Sequence, residues 1–87
     1  MIRYWFEFDF TNYSNIPYGV IMGCGVTGYE YEDAIKILKE KVFVNKELPQ
    51  IKKVVENINI GELDQNHVIP NMSPPSNRGI WFPLGYM

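Results

Sequence analysis

The chain has 87 residues, of which 46% are hydrophobic, 15% aromatic and 21% charged, with a formal net charge of −2. That length suits a single domain spanning residues 1–87, and a domain this small buries only about 60–65% of the surface of its unfolded chain, so its core is thin. The composition excludes a disordered chain, the lone Cys24 excludes an internal disulfide or a cysteine zinc cage, and no apolar run approaches the roughly 18 residues of a membrane helix.

Arg3, Glu7 and Asp9 interrupt the first ten residues, so no signal peptide is expected and the setting reads as cytoplasmic. Charge is uneven along the chain. Residues 1–33 carry a net −4, residues 36–53 a net +4 through six lysines against Glu40 and Glu47, and residues 54–87 a net −2. Helix-dipole matching accounts for much of this, with acids in a first turn and lysines toward a last one; any remainder would steer a charged partner.

Ile2, Tyr4, Phe6, Phe8 and Phe10 alternate with Arg3, Trp5, Glu7 and Asp9. A period of two, rich in aromatics, predicts a strand with one buried face. Asn12, Ser14, Asn15 and Pro17 supply a polar connection. Alternation resumes over Tyr18 to Thr27, with Tyr18, Val20, Met22, Cys24 and Val26 on one face, which predicts a second strand and an antiparallel hairpin. From Tyr31 to Val44 the period changes: Ala34, Leu38 and Val42 recur every fourth residue beside Tyr31 and Ile35, predicting an amphipathic helix. Glu30, Glu32 and Asp33 mark its start, with the cap near Glu30, and Asn45 and Pro49 bracket its exit.

Ile51 to Ile60 fits either period, but Pro49 before it and Asn57, Asn59 and Gly61 after it favour a strand over a second long helix. Gly61 to Asp64 reads as one helical turn and His67 to Asn77 as a proline-bearing loop. Gly79 to Phe82 reads as a last strand stopped by Pro83, with Ile80 and Phe82 facing the core and Trp81 facing out. The order is β-β-α-β-β, an α+β domain whose antiparallel sheet carries one main helix on one face. One helix covers only part of four strands, so the rest must be closed by loops, the tail or another subunit.

Gly23-Cys24-Gly25-Val26-Thr27-Gly28 is a literal G-x-G-x-x-G between a strand and a helix, the setting of a dinucleotide fingerprint. Tyr29 and Glu30 delay the helix, however, and Glu30, Glu32 and Asp33 occupy the end where phosphate would sit. The chain also lacks room for repeated βαβ units. Gly19, Gly23 and Gly25 share one parity and read as a bare strand face covered by Trp5, so no cofactor is expected. Glu7 and Asp9, two residues apart on a flat face, have no cleft to shift a pKa, and they would repel nucleic-acid phosphates. His67 stands alone, with no metal ligand set around it, and reads as a loop residue bonded to backbone near Asp64 or Asn66. Cys24 reads as a buried small hydrophobe rather than a nucleophile.

Trp5, Glu7 and Asp9 form one outward row, and Arg78-Gly79-Ile80-Trp81-Phe82-Pro83 adds a second indole. If the first and last strands adjoin, Trp5 and Trp81 share a surface that suits a partner. The competing arrangement packs both indoles beneath the loop from Val68 to Ser76.

The strings Arg3-Tyr4-Trp5-Phe6-Glu7-Phe8, Gly23-Cys24-Gly25-Val26-Thr27 before Tyr31-Glu32-Asp33-Ala34, and Arg78-Gly79-Ile80-Trp81-Phe82-Pro83 resemble those of a family of short uncharacterised bacterial proteins. The resemblance spans nearly the whole chain; it implies a bacterial, cytoplasmic setting and carries no activity. Small bacterial domains of this kind are sometimes immunity or antitoxin-type partners, an analogy of size and class alone. The sequence thus points to a protein–protein interaction domain, with self-association included. Its expected partner-binding residues are Trp5, Glu7, Asp9, Arg78 and Trp81. The alternative is a small-molecule-binding regulatory domain with a pocket between helix and sheet. An enzyme ranks third, since no nucleophile–base pair or metal cluster is visible.

Overall fold

In the computed structural model, which describes residues 1–86, the elements run β1 (Ile2–Asp9), β2 (Cys24–Gly28), α1 (Tyr31–Lys41), β3 (Gln50–Glu56) and β4 (Gly79–Phe82). Two 3-10 turns, Ile60–Glu62 and Ile69–Asn71, fall between β3 and β4. The α+β class and the β-β-α-β-β order hold. The sheet runs β3-β1-β2-β4, with each neighbouring pair antiparallel.

β1 is central because both sides of its alternation find cover. Tyr4, Phe6 and Phe8 pack with Cys24, Val26, Ala34, Leu38 and Phe43 between sheet and helix. Phe6 stacks on Phe8 at 6.1 Å, and Phe43 meets Phe8 edge-on at 5.3 Å. Each such ring contributes about 1.5–3 kcal/mol by burial, with about 0.5–1.5 kcal/mol more from ring pairing. On the opposite side Trp5, Trp81 and Phe82 pack with Ile58, Leu63 and Val68. The segment after β3 therefore lies over the face that the helix leaves open. The domain has three layers, with a core on each side of one sheet.

The second strand is shorter than the alternation predicts. Residues 18–23 form turns, with Gly19 at φ +82° and Gly23 at φ +138°, and the Gly23 amide donates to the Val20 carbonyl at 3.0 Å. Those backbone angles break the strand before Cys24. Val20 still reaches the core, but Tyr18 and Met22, expected inside, are 89% and 40% exposed.

The helix begins where its acids predict. Glu30 is the cap residue, and the Asp33 carboxylate accepts from the Tyr29 amide at 2.9 Å. It ends at Lys41, one turn short of Val44. The Val42 and Phe43 amides both donate to the Leu38 carbonyl, and Asn45 turns the chain at φ +57°.

Gln50–Glu56 is a strand, so the ambiguous stretch resolves as expected, though it stops four residues early. Asn57 takes φ +53°, and Asn59 then caps the first 3-10 turn by accepting from the Gly61 amide at 3.0 Å. Two bulges reset the faces. In β3 the register slips opposite Glu7/Phe8, which leaves Lys52 unmatched and turns Ile51 toward Phe8. In β4, Phe82 pairs with Gly25 and Ile80 with Val26, so Trp81 is the extra residue. Phe82 therefore shares the side of Trp81 instead of lying with Ile80, contrary to strict alternation.

Candidate functional site

The expected exposed tryptophans are interior. Trp5 is 4% exposed and Trp81 is 1% exposed. Their ring centroids lie 6.1 Å apart, and Phe82 sits 5.6 Å from Trp5. Alternation assigned both indoles to the side away from the helix, but that side is roofed by Ile58, Leu63 and Val68 rather than open to water. As an exposed anchor pair, Trp5 and Trp81 are corrected.

The glycine run has a packing cause. Trp5 stands opposite Gly25 in the ladder, and the indole of Trp81 lies where a Gly25 side chain would be. A β-carbon on Gly23 would come within 2.6 Å of the Trp5 ring. The expected aromatic-over-glycine arrangement is present at Gly23 and Gly25, with two indoles where one was expected, whereas Gly19 lies in a turn against Pro83. The Asp33 carboxylate already binds the amide ahead of the helix, at the end where a dinucleotide phosphate would have to sit.

The remaining expected residues do not converge. Glu7, half-buried, accepts from the Trp5 indole N–H at 3.0 Å and faces Lys53 across the ladder. Asp9, at the far end of β1, accepts from the Thr11 amide at 2.9 Å; hydrogen bonds from Thr11 hold its carboxyl below the usual range. Arg78 lies at the other end of the sheet. Its Nε donates to Asp33 Oδ2 at 2.9 Å, its Nη2 to Asp33 Oδ1, and its guanidinium lies 5.4 Å from the centre of the Tyr29 ring. The Arg78 hydrogen bonds hold the Asp33 carboxyl down at about 2, with help from the Tyr29 amide.

Cys24 is fully buried, and desolvation pushes its thiol well up, away from thiolate chemistry. His67 is exposed; its Nδ1 lies 3.2 Å from Asp64 Oδ1, and its amide donates to the same oxygen at 2.9 Å. Its ring partner is thus a carboxylate rather than the backbone. No three His, Cys, Asp or Glu side chains converge among the described residues. No helix among them is long and apolar enough to cross a membrane.

Two surface clefts among the described residues carry apolar walls. One, of about 340 Å³, is lined by Tyr18, Gly19, Ile21, Met22, Phe82, Pro83 and Leu84, with His67 and Asn71 at its polar side. Its wall holds four large exposed apolar side chains: Tyr18 at 89%, Ile21 at 68%, Leu84 at 45% and Met22 at 40%. The two loops that carry them are tied together, since the Tyr86 hydroxyl donates to the Tyr18 carbonyl at 2.8 Å. Sequence reasoning missed this cluster because it read Tyr18 and Met22 as strand residues facing inward. The usable signal was the glycines at 19 and 23 flanking an apolar run.

The other cleft, of about 440 Å³, opens between the C-terminal half of α1 and β4. Ile37, Ile80, Pro74 and Tyr86 form its apolar wall; Lys41, Glu40, Arg78, Asn77 and Ser73 bring polar groups. Comparison with protein-family models, with curated proteins and with solved structures finds no match for this chain.

Proposed function

We propose that the chain is a cytoplasmic protein–protein interaction domain, of the immunity or antitoxin kind or self-associating, and that it binds through the groove between the loop of residues 17–23 and the segment 83–86. The clustering of Tyr18, Ile21, Met22 and Leu84 around one groove carries this reading. A chain with a thin core gains most by burying such side chains, yet here four stand in water together. No Lys, Arg, Asp or Glu lines the groove, so an apolar anchor on the partner suits it best.

Native mass spectrometry of the protein purified gently from its own host tests the reading. A stoichiometric protein partner or a homodimer is expected, lost in Ile21→Asp and Leu84→Asp while the melting temperature stays within a few degrees. A monomer, or a complex indifferent to both substitutions, overturns it. A second reading, a small-molecule-binding regulatory domain, is favoured by one specific observation: the cleft between α1 and β4 sets charged and polar groups beside an apolar wall, in a volume within the range of ligand sites, about 300–1,000 Å³.

A further inference from the structure

We infer that the cleft between α1 and β4 takes a small amphipathic anion, a carboxylate on an apolar body, bound through Lys41 and the guanidinium of Arg78. The inference rests on the second reading above and gives it a ligand class.

The cleft is two-natured. Ile37, Ile80 and Tyr86 supply an apolar wall, and the cations stand beside it. Arg78 is fixed before any ligand arrives, with Asp33 gripping its Nε and Nη2 and the Tyr29 ring against its face. Those bonds leave the donors of Nη1 without a partner among the described residues, on a group already held in place. Lys41 is exposed and belongs to none of the ion pairs found among the described residues.

The sign of the field decides the class. Glu40 also lines the cleft, but Lys36 lies 4.0 Å from it. The helix end repels an anion with roughly half a unit charge. Asp33 offsets Arg78 as Lys36 offsets Glu40, so Lys41 is the unmatched charge among the described lining groups, a net +1 that outweighs the helix end. A neutral or cationic ligand would leave that excess unmatched.

Two-dimensional amide NMR of the full chain tests this with three probes of one shape: 3-phenylpropionate, its primary amide and 3-phenylpropylamine. The acid is expected to shift the amides of Ile37, Lys41, Gly79 and Ile80 and to bind about fivefold tighter than the amide. Lys41→Ala should remove that advantage, whereas Lys39→Ala, with the same charge change outside the wall and no ion pair to break, should keep it. If the amide binds as well as the acid at those residues, the cleft remains a ligand site and the anion class is overturned. Tighter binding of the amine, or equal loss in both lysine variants, also overturns it. If no probe shifts those amides, the anion class and the second reading fall together.

Discussion

At the scale of single residues, the two glycines of the G-x-G string answer to the two indoles. Gly25 has no room for a β-carbon against Trp81, and the neighbouring indole fills the surface it leaves bare. Gly25→Ala must push a fully buried ring aside, and overpacking of this kind costs about 1–3 kcal/mol, readable as a lower urea midpoint at unchanged slope. Asp33 answers to Arg78. Its folded-state carboxyl, at about 2, lies below its ordinary value of 3.8. A depressed carboxyl contributes stability that is present in full above the ordinary value and is lost as pH falls toward the folded one. The wild-type chain should therefore lose stability between roughly pH 4 and pH 2, and Asp33→Asn should flatten that limb in acid-titrated thermal melts. Unchanged acid limbs in the two proteins would show that the pair is not formed in solution.

At the scale of elements, the strand and helix periods were legible because a regular backbone repeats its burial. β1, β4 and the start of α1 stand where alternation, Pro83 and the acids at 30–33 put them. Three things had no period to show. The turns at Gly19 and Gly23 are set by positive backbone angles, which the two glycines permit but which the alternation of side chains does not register. The bulge that turns Phe82 over arises from pairing with β2, not from β4 itself. The roof over the indoles comes from Ile58, Leu63 and Val68, apolar residues scattered through a loop whose spacing resembles no face. Alternation placed Trp5 and Trp81 on the correct side of the sheet; of the two arrangements it left open, the one with both indoles beneath the segment from Val68 is found, with Ile58 and Leu63 added to the roof. The roof can be tested directly. Ile58→Ala opens a cavity under it, costing about 2–5 kcal/mol, and should move the tryptophan emission to the red while the chain is still folded. Emission that is already water-like in the wild type would contradict the second core.

At the scale of the whole molecule, the sheet edges are poor association surfaces. The free rim of β3 carries Lys52, Lys53 and a bulge, the features that discourage strand pairing between chains. Beside β4, the Ser73 amide already donates to the Trp81 carbonyl at 2.9 Å. Both faces of the sheet are roofed, one by α1 and one by the segment after β3. Among the described residues, four of the nine large exposed apolar side chains gather on the loops at 17–23 and 83–86, so the proposed contact lies there instead of at the tryptophans. The basic stretch of α1 and β3 lies apart from that groove, and association through it should respond weakly to salt up to 0.5 M, by contrast with a charge-steered complex.

Hydrogen–deuterium exchange of the chain within its gently purified assembly, set against the isolated chain, tests the location most directly. Added protection is expected at residues 17–23 and 83–86, with the β3 rim and residues 57–65 unchanged. Protection gathered on β3 or over the roof of the indoles, or no change anywhere along the chain, would contradict the assignment.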